Sequence, residues 1–164
     1  MELLDIVDEN GNYTGEIVDR KQAQELGLLH WEVIVIVVNE KKQILLQKRS
    51  ATKKYFPNKW ALCSGLVISG ESCEEAAVRE LKEELGVEFQ ISDLHLLEEN
   101  LNLTRFYYAI TNYDESQFVI QKEELSSVKW FDLDEILEKV SCGDDSIIIR
   151  KDRLFLLEEI GELR

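Results

Sequence analysis

Apolar and acidic positions alternate over residues 2–8, the period-two pattern of a half-buried strand, and Glu9-Asn10-Gly11-Asn12 then reads as a turn. Residues 15–18 return as the partner strand. Residues 19–26 read as a short helix capped by Gly27. Trp31 to Val38 is a β-branched run of the kind that fills a buried strand. Asn39 to Lys42 turns the chain into a strand from Ile44 to Lys48. Further strands are expected at Trp60 to Val67, Val87 to Leu97, Thr104 to Ile110 and Val128 to Phe131, with helices at 132–140 and 147–160. Strands mixed with helices in this order predict an α+β protein, an α/β/α sandwich with a mixed β-sheet flanked by helices. No repeat, low-complexity tract or linker divides the chain, so 1–164 is expected to form one domain. Residues 1–27 would be a hairpin and helix extension before a core of 28–164.

Residues 65–87, GLVISGESCEEAAVRELKEELGV, add chemistry to this pattern. On a helical wheel, Glu84 lies roughly 40° and Glu83 roughly 60° from Glu80, on either side of it. Ala77, Val78, Leu81 and Leu85 fall next to this cluster, so the carboxylates border the apolar face instead of opposing it. Like charges spaced this way repel, and something must offset that. Arg79, four residues before Glu83, can pair with it and fix its rotamer. A hard cation such as Mg2+ would offset the rest. Ser72 with Glu75 three residues on forms a capping box, and Gly86 ends the helix.

The spacing Gly65, Glu71, Arg79-Glu80-Leu81, Glu83-Glu84, Gly86-Val87 matches every position of the Nudix box, G-x5-E-x7-R-E-U-x-E-E-x-G-U with U aliphatic. The chain therefore closely resembles a Nudix protein. That resemblance implies the Nudix fold and attack of water on a diphosphate linkage, typically in a nucleoside diphosphate joined to a group X. It implies that Glu80 and Glu84 hold Mg2+ or Mn2+, with a further bond from Glu83 and the Gly65 carbonyl in the metal shell. Arg79 would orient Glu83, and Glu71 would hold the loop. The general base is a glutamate of the box in some relatives and a later acid in others. Here Glu123 and Glu124 are the foremost later acids, with Glu98 and Glu99 behind them and Asp114-Glu115 read as a hairpin tip.

At 164 residues, 45% hydrophobic and 32% charged, the composition is that of a soluble globular protein. No apolar run is long enough to span a membrane, and the first ten residues carry no signal-like segment, so a cytoplasmic location is expected. Cys63, Cys73 and Cys142 are odd in number and lack metal-site spacing, as reduced thiols do. A net charge of −14 opposes general nucleic-acid binding. Against that background Lys48, Arg49, Lys53, Lys54 and Lys59 form a local basic segment suited to an anionic substrate, with Arg49 and Lys59 as substrate-binding candidates. Group X is expected to be selected by the 49–59 loop, the 98–103 turn and the 111–118 hairpin; Tyr55, Phe56, Phe106 and Tyr108 are candidates to stack on a base, although strand aromatics more often pack in the core. The oligomeric state stays open, a homodimer included.

Two other functions compete. The stretch from Asp5 through His30-Trp31 to Gln47-Lys48-Arg49 resembles the isopentenyl-diphosphate isomerase branch, and Cys63 stands just before the box. Against an isomerase stand the intact box, Gly65-Leu66 in place of a histidine-proline pair, and only two histidines, His30 and His95. Cys63 reads instead as a small buried strand residue. The second rival is a Nudix module that binds a nucleotide without turning it over, but such modules lose box carboxylates that this chain keeps.

Overall fold

The computed structural model describes residues 2–163. Strand β1 (Leu3–Val7) pairs antiparallel with β2 (Tyr13–Asp19), and α1 (Arg20–Leu26) follows. The Asp19 carboxylate accepts N–H groups of the first turn of α1, and Gly27, at φ 65°, closes its C-terminus. Leu4, Ile6, Val18 and Ala23 bury a small apolar cluster here.

The main sheet is built on β3 (Glu32–Val38). Successive side chains of a strand point to opposite faces, and β3 is apolar on both. Val33, Val35 and Val37 pack under α2 (Cys73–Leu85) with Ala77, Leu81 and Leu85. Ile34, Ile36 and Val38 pack on the other face with residues of α3 (Leu133–Ser141) and α4 (Leu154–Gly161). The result is the α/β/α sandwich that the element order predicts. Strand β8 (Thr104–Ile110) runs parallel to β3 and β7 (His95–Leu101) antiparallel to β8. Strand β4 (Gln43–Arg49) pairs with β3 at Val38–Ile44. Beyond that point β3 pairs with β6 (Cys63–Leu66), while β4 pairs with β5 (Trp60–Ala61) and β9 (Leu125–Asp132). The sheet thus forks between β3 and β4, with Leu62 bridging β5 and β6.

Several expected elements differ. Residues 60–67 form two short strands, because the chain leaves β4 to reach β3. The strand expected from Val87 begins at His95, after a single 3-10 turn at Ile91–Asp93. Residues 111–118 form no hairpin: a 3-10 turn at Glu115–Gln117 lies on the way from β8 to β9, and Glu115 accepts the Trp130 N–H. The helix expected over 147–160 starts at Leu154. The β-branched Ile147-Ile148-Ile149 prefers extended backbone, and Ile147 bridges Trp60, with Ile148 donating to the Trp60 carbonyl. Among the described residues no helix is long and apolar enough to cross a membrane.

Candidate active site

The loop from β6 into α2 and the first turns of α2 place the acidic residues. The Ser72 capping box is formed in both directions, and Gly86, at φ 68°, ends α2 where an added Cβ would meet Val119 at 2.6 Å. The periodicity puts Glu80 and Glu84 at the border of the buried face, as the wheel predicts. Both line a cavity of about 330 Å3 with Glu83, Gly65, Arg49, Lys53 and Glu124. Gly65 lets α2 approach β6: a Cβ there would lie 2.2 Å from the Glu80 carboxylate.

Arg79 is the hub of the loop. Its Nε and Nη2 donate to the two oxygens of Glu71, each at 2.8 Å. Nη2 also donates to the Leu66 carbonyl at 2.9 Å and Nη1 to Glu80 at 2.8 Å. The expected contact to Glu83 is present but longer, 3.3 Å, and Glu83 is half exposed. Arg79 therefore grips Glu71 and Glu80 more firmly than Glu83. Glu71 in turn accepts the Ile68 N–H at 2.9 Å, which ties the loop. Burial pushes the Glu71 carboxyl up, but the Arg79 and Ile68 hydrogen bonds outweigh it and hold it below its usual range.

Glu80 and Glu84 behave oppositely. Burial raises both carboxyls; the Glu84 charge raises Glu80 further against the pull of Arg79, and Glu124 adds to the rise at Glu84. Gln47 donates to Glu84 Oε2 at 2.7 Å, and the Cys63 thiol donates to the same oxygen at 3.4 Å. Burial and the neighbouring carboxylates push the Cys63 thiol up, so it is not poised as a thiolate. Oxygen donors and mutual repulsion make this pair suitable for a hard cation. Among the described residues no three Asp, Glu, His or Cys side chains converge into a ready ion cage. Two carboxylates nonetheless suit Mg2+, which keeps waters and takes substrate phosphate oxygens as its remaining ligands.

The other candidates divide. Glu124 reaches the cavity and is ion-paired with Lys53, whereas Glu123, Glu98 and Glu99 do not line it. Of the basic segment only Arg49 and Lys53 line the cavity. Lys59 does not: it pairs with Asp145 at 3.3 Å. Lys48 and Lys54 lie over the rings of Trp60 and Tyr55. Phe56 and Phe106 line a neighbouring cavity, but Tyr108 stacks on His95 with ring centroids 4.6 Å apart.

Sequence reasoning missed Gln47, Lys53 as a partner of Glu124, and the wall formed by Glu2, Arg20 and Glu32. Gln47 had a readable signal. It shares the α2-facing side of β4 with Leu45, so a glutamine there is a polar residue at a core position.

A family model described as NUDIX domain matches residues 28–150. An uncharacterized Nudix hydrolase of Listeria innocua is 34% identical over 163 residues, covering 99% of this chain and 88% of that protein. An isopentenyl-diphosphate Delta-isomerase of Aliivibrio fischeri is 28% identical over 163 residues, covering 90% of each. The crystal structure of DR0079 from Deinococcus radiodurans superposes with a TM-score of 0.75 at 25% identity, covering 97% of this chain and 99% of that one. With its box complete and its fold shared, the chain belongs to the Nudix hydrolase family.

Proposed function

We propose that the protein hydrolyses a diphosphate linkage in a small organic substrate, a nucleoside diphosphate derivative or related compound, with Mg2+ or Mn2+ held by Glu80 and Glu84. The observation that carries this reading is the pair of partly buried carboxylates in a cavity that Arg49 and Lys53 also line. A bound cation would neutralise phosphate oxygens and lower the pKa of an attached water. Arg49 and Lys53 bind the anionic substrate and align the diphosphate. Arg79 and Gln47 hold Glu80 and Glu84 in fixed rotamers, so little reorganisation is needed on binding. Glu83 gives a further oxygen at the cavity edge. Glu124 is the acid best placed to take the proton of the attacking water, and Lys53 orients it.

Metal-supplemented assays over nucleoside di- and triphosphates, dinucleoside polyphosphates, nucleotide sugars and prenyl diphosphates test the proposal. Release of phosphate or a nucleoside monophosphate is expected, with loss of activity in Glu84→Gln, an amide being a much poorer ligand for a hard cation. Activity unchanged in that variant would sink the metal assignment. Glu124→Gln separates the base from the ligands: it should lower kcat while leaving affinity for the metal ion intact.

The Cys63–Glu84 contact and the relatives named isomerases support a second reading, isomerisation of isopentenyl diphosphate. It requires the Cys63 thiol, so Cys63→Ala with full isomerase turnover would refute that mechanism.

A further inference from the structure

A second cavity, of about 250 Å3, opens through the fork between β3 and β4. It shares Glu32, Arg49, Ala61, Leu62 and Ser64 with the acidic cavity. Ile34, Ile36, Phe106, Leu156 and Leu157 make its body apolar. Its outer rim is the extended segment Ile148-Ile149-Arg150 with Arg153 just before α4.

Arg153 is the telling residue. Its guanidinium lies over the Phe106 ring, 5.2 Å from the centroid, while its Nε is buried without a hydrogen-bond partner. A desolvated donor with no acceptor is costly to leave in a folded protein. Arg153 also lines the cavity, so its guanidinium is a cation that a ligand oxygen there can approach. Glu32, at the wall shared by both cavities, offers a carboxylate to a ligand hydroxyl or N–H group.

Building on the hydrolase reading, we propose that this cavity receives group X while the diphosphate lies against Glu80, Glu84, Arg49 and Lys53. X is then a compact group, no larger than one nucleoside or a short alkyl chain, that packs against the apolar wall and turns an oxygen acceptor to Arg153. Pockets that enclose drug-sized ligands run from about 300 Å3 upward, so the second nucleoside of a dinucleotide has no room here. Of the lining, Arg153, Leu156 and Leu157 lie past residue 150, where the family match ends. Selection of X thus belongs to a part of this chain that the shared box does not specify.

The test compares kcat/KM for uridine diphosphate, 4-hydroxybutyl diphosphate, methyl diphosphate and diadenosine tetraphosphate. The first two place a compact oxygen-bearing X in the cavity, from a nucleoside and from an alkyl source, and their ranking tells these apart. The better of them should exceed both methyl diphosphate and the dinucleotide by about tenfold or more, the scale on which a fitted pocket discriminates. Arg153→Met, which keeps the packing on Phe106, and Ile149→Trp, which fills the rim, should each reduce that preference about tenfold. Preference for the dinucleotide, or an unchanged preference in both variants when folded by circular dichroism, overturns the proposal. An equal loss on methyl diphosphate overturns it too. If no diphosphate is hydrolysed, calorimetry decides: compact diphosphates that bind the wild type and bind Arg153→Met about tenfold more weakly keep the cavity assignment and refute hydrolysis. No binding refutes both.

Discussion

Gly65 and Glu80 are in such close approach that a methyl group on the glycine would stand 2.2 Å from the glutamate's carboxylate. The conflict is with the end of a flexible side chain, so Gly65→Ala can fold once Glu80 swings aside. That swing moves a carboxylate of the proposed metal pair. A misplacement of about 1 Å can cost on the order of 100-fold in rate. Gly65→Ala is therefore expected to lose about that much in kcat with a modest change in Tm, read by steady-state kinetics alongside thermal unfolding.

Arg79 serves Glu71, Glu80, Glu83 and the Leu66 carbonyl at once. Removing the guanidinium leaves the partly buried Glu71 and Glu80 carboxylates without a cation. Arg79→Ala should lose about 3 kcal/mol of stability, the scale for one half of a buried ion pair. Arg79→Lys keeps the charge but cannot reproduce the two-pronged grip on Glu71, so it should fall between wild type and Ala. Urea unfolding at neutral pH measures both.

Glu71 makes part of that stability dependent on pH. Its folded carboxyl titrates below the ordinary value of 4.5 that it recovers on unfolding. The unfolded chain then binds the proton first, so the contribution is complete above that ordinary value and disappears as pH falls through the depressed folded one. Between roughly pH 5 and 3, wild-type stability should decline more steeply than that of Glu71→Gln. Parallel declines would show that the loop does not depend on this charge.

Gln47 is buried and holds Glu84 at 2.7 Å. Loss of a partner that orients a metal ligand, the role proposed for Glu84, costs about 10- to 100-fold in activity or metal affinity. Gln47→Leu should fall in that range, whereas Cys63→Ala, which removes a weaker thiol contact, should keep most hydrolytic activity. Side-by-side kcat and metal titrations separate the two.

Much of this site was legible because it lies on one helix. Periodicity and capping residues place Glu80, Glu83 and Glu84 relative to one another without tertiary information, and the wheel correctly puts Glu80 and Glu84 beside Leu81 and Leu85, while Glu83 stands half exposed. Contacts that cross elements were harder to read. A four-residue spacing makes Arg79–Glu83 the obvious pair, yet the loop folds back and offers Glu71 at shorter range. Lys59 stood behind Arg49 as a candidate in the sequence, and the chain after β4 carries it toward Asp145. The fork between β3 and β4, which opens the second cavity, depends on where strands exchange partners, and hydrophobic patterning does not record that exchange.

The first hairpin has a consequence for where this catalytic unit can be said to begin. Asp5 accepts from the Ser69 hydroxyl and the Gly70 N–H, the Leu3 carbonyl accepts the Ser69 N–H, and the Glu2–Arg20 ion pair walls the acidic cavity. All of these grips come from before residue 28, where the family match starts. The boundary drawn by sequence kinship is therefore not the mechanical one. A chain cut at that kinship boundary would keep every residue of the box and lose the hand that holds its loop.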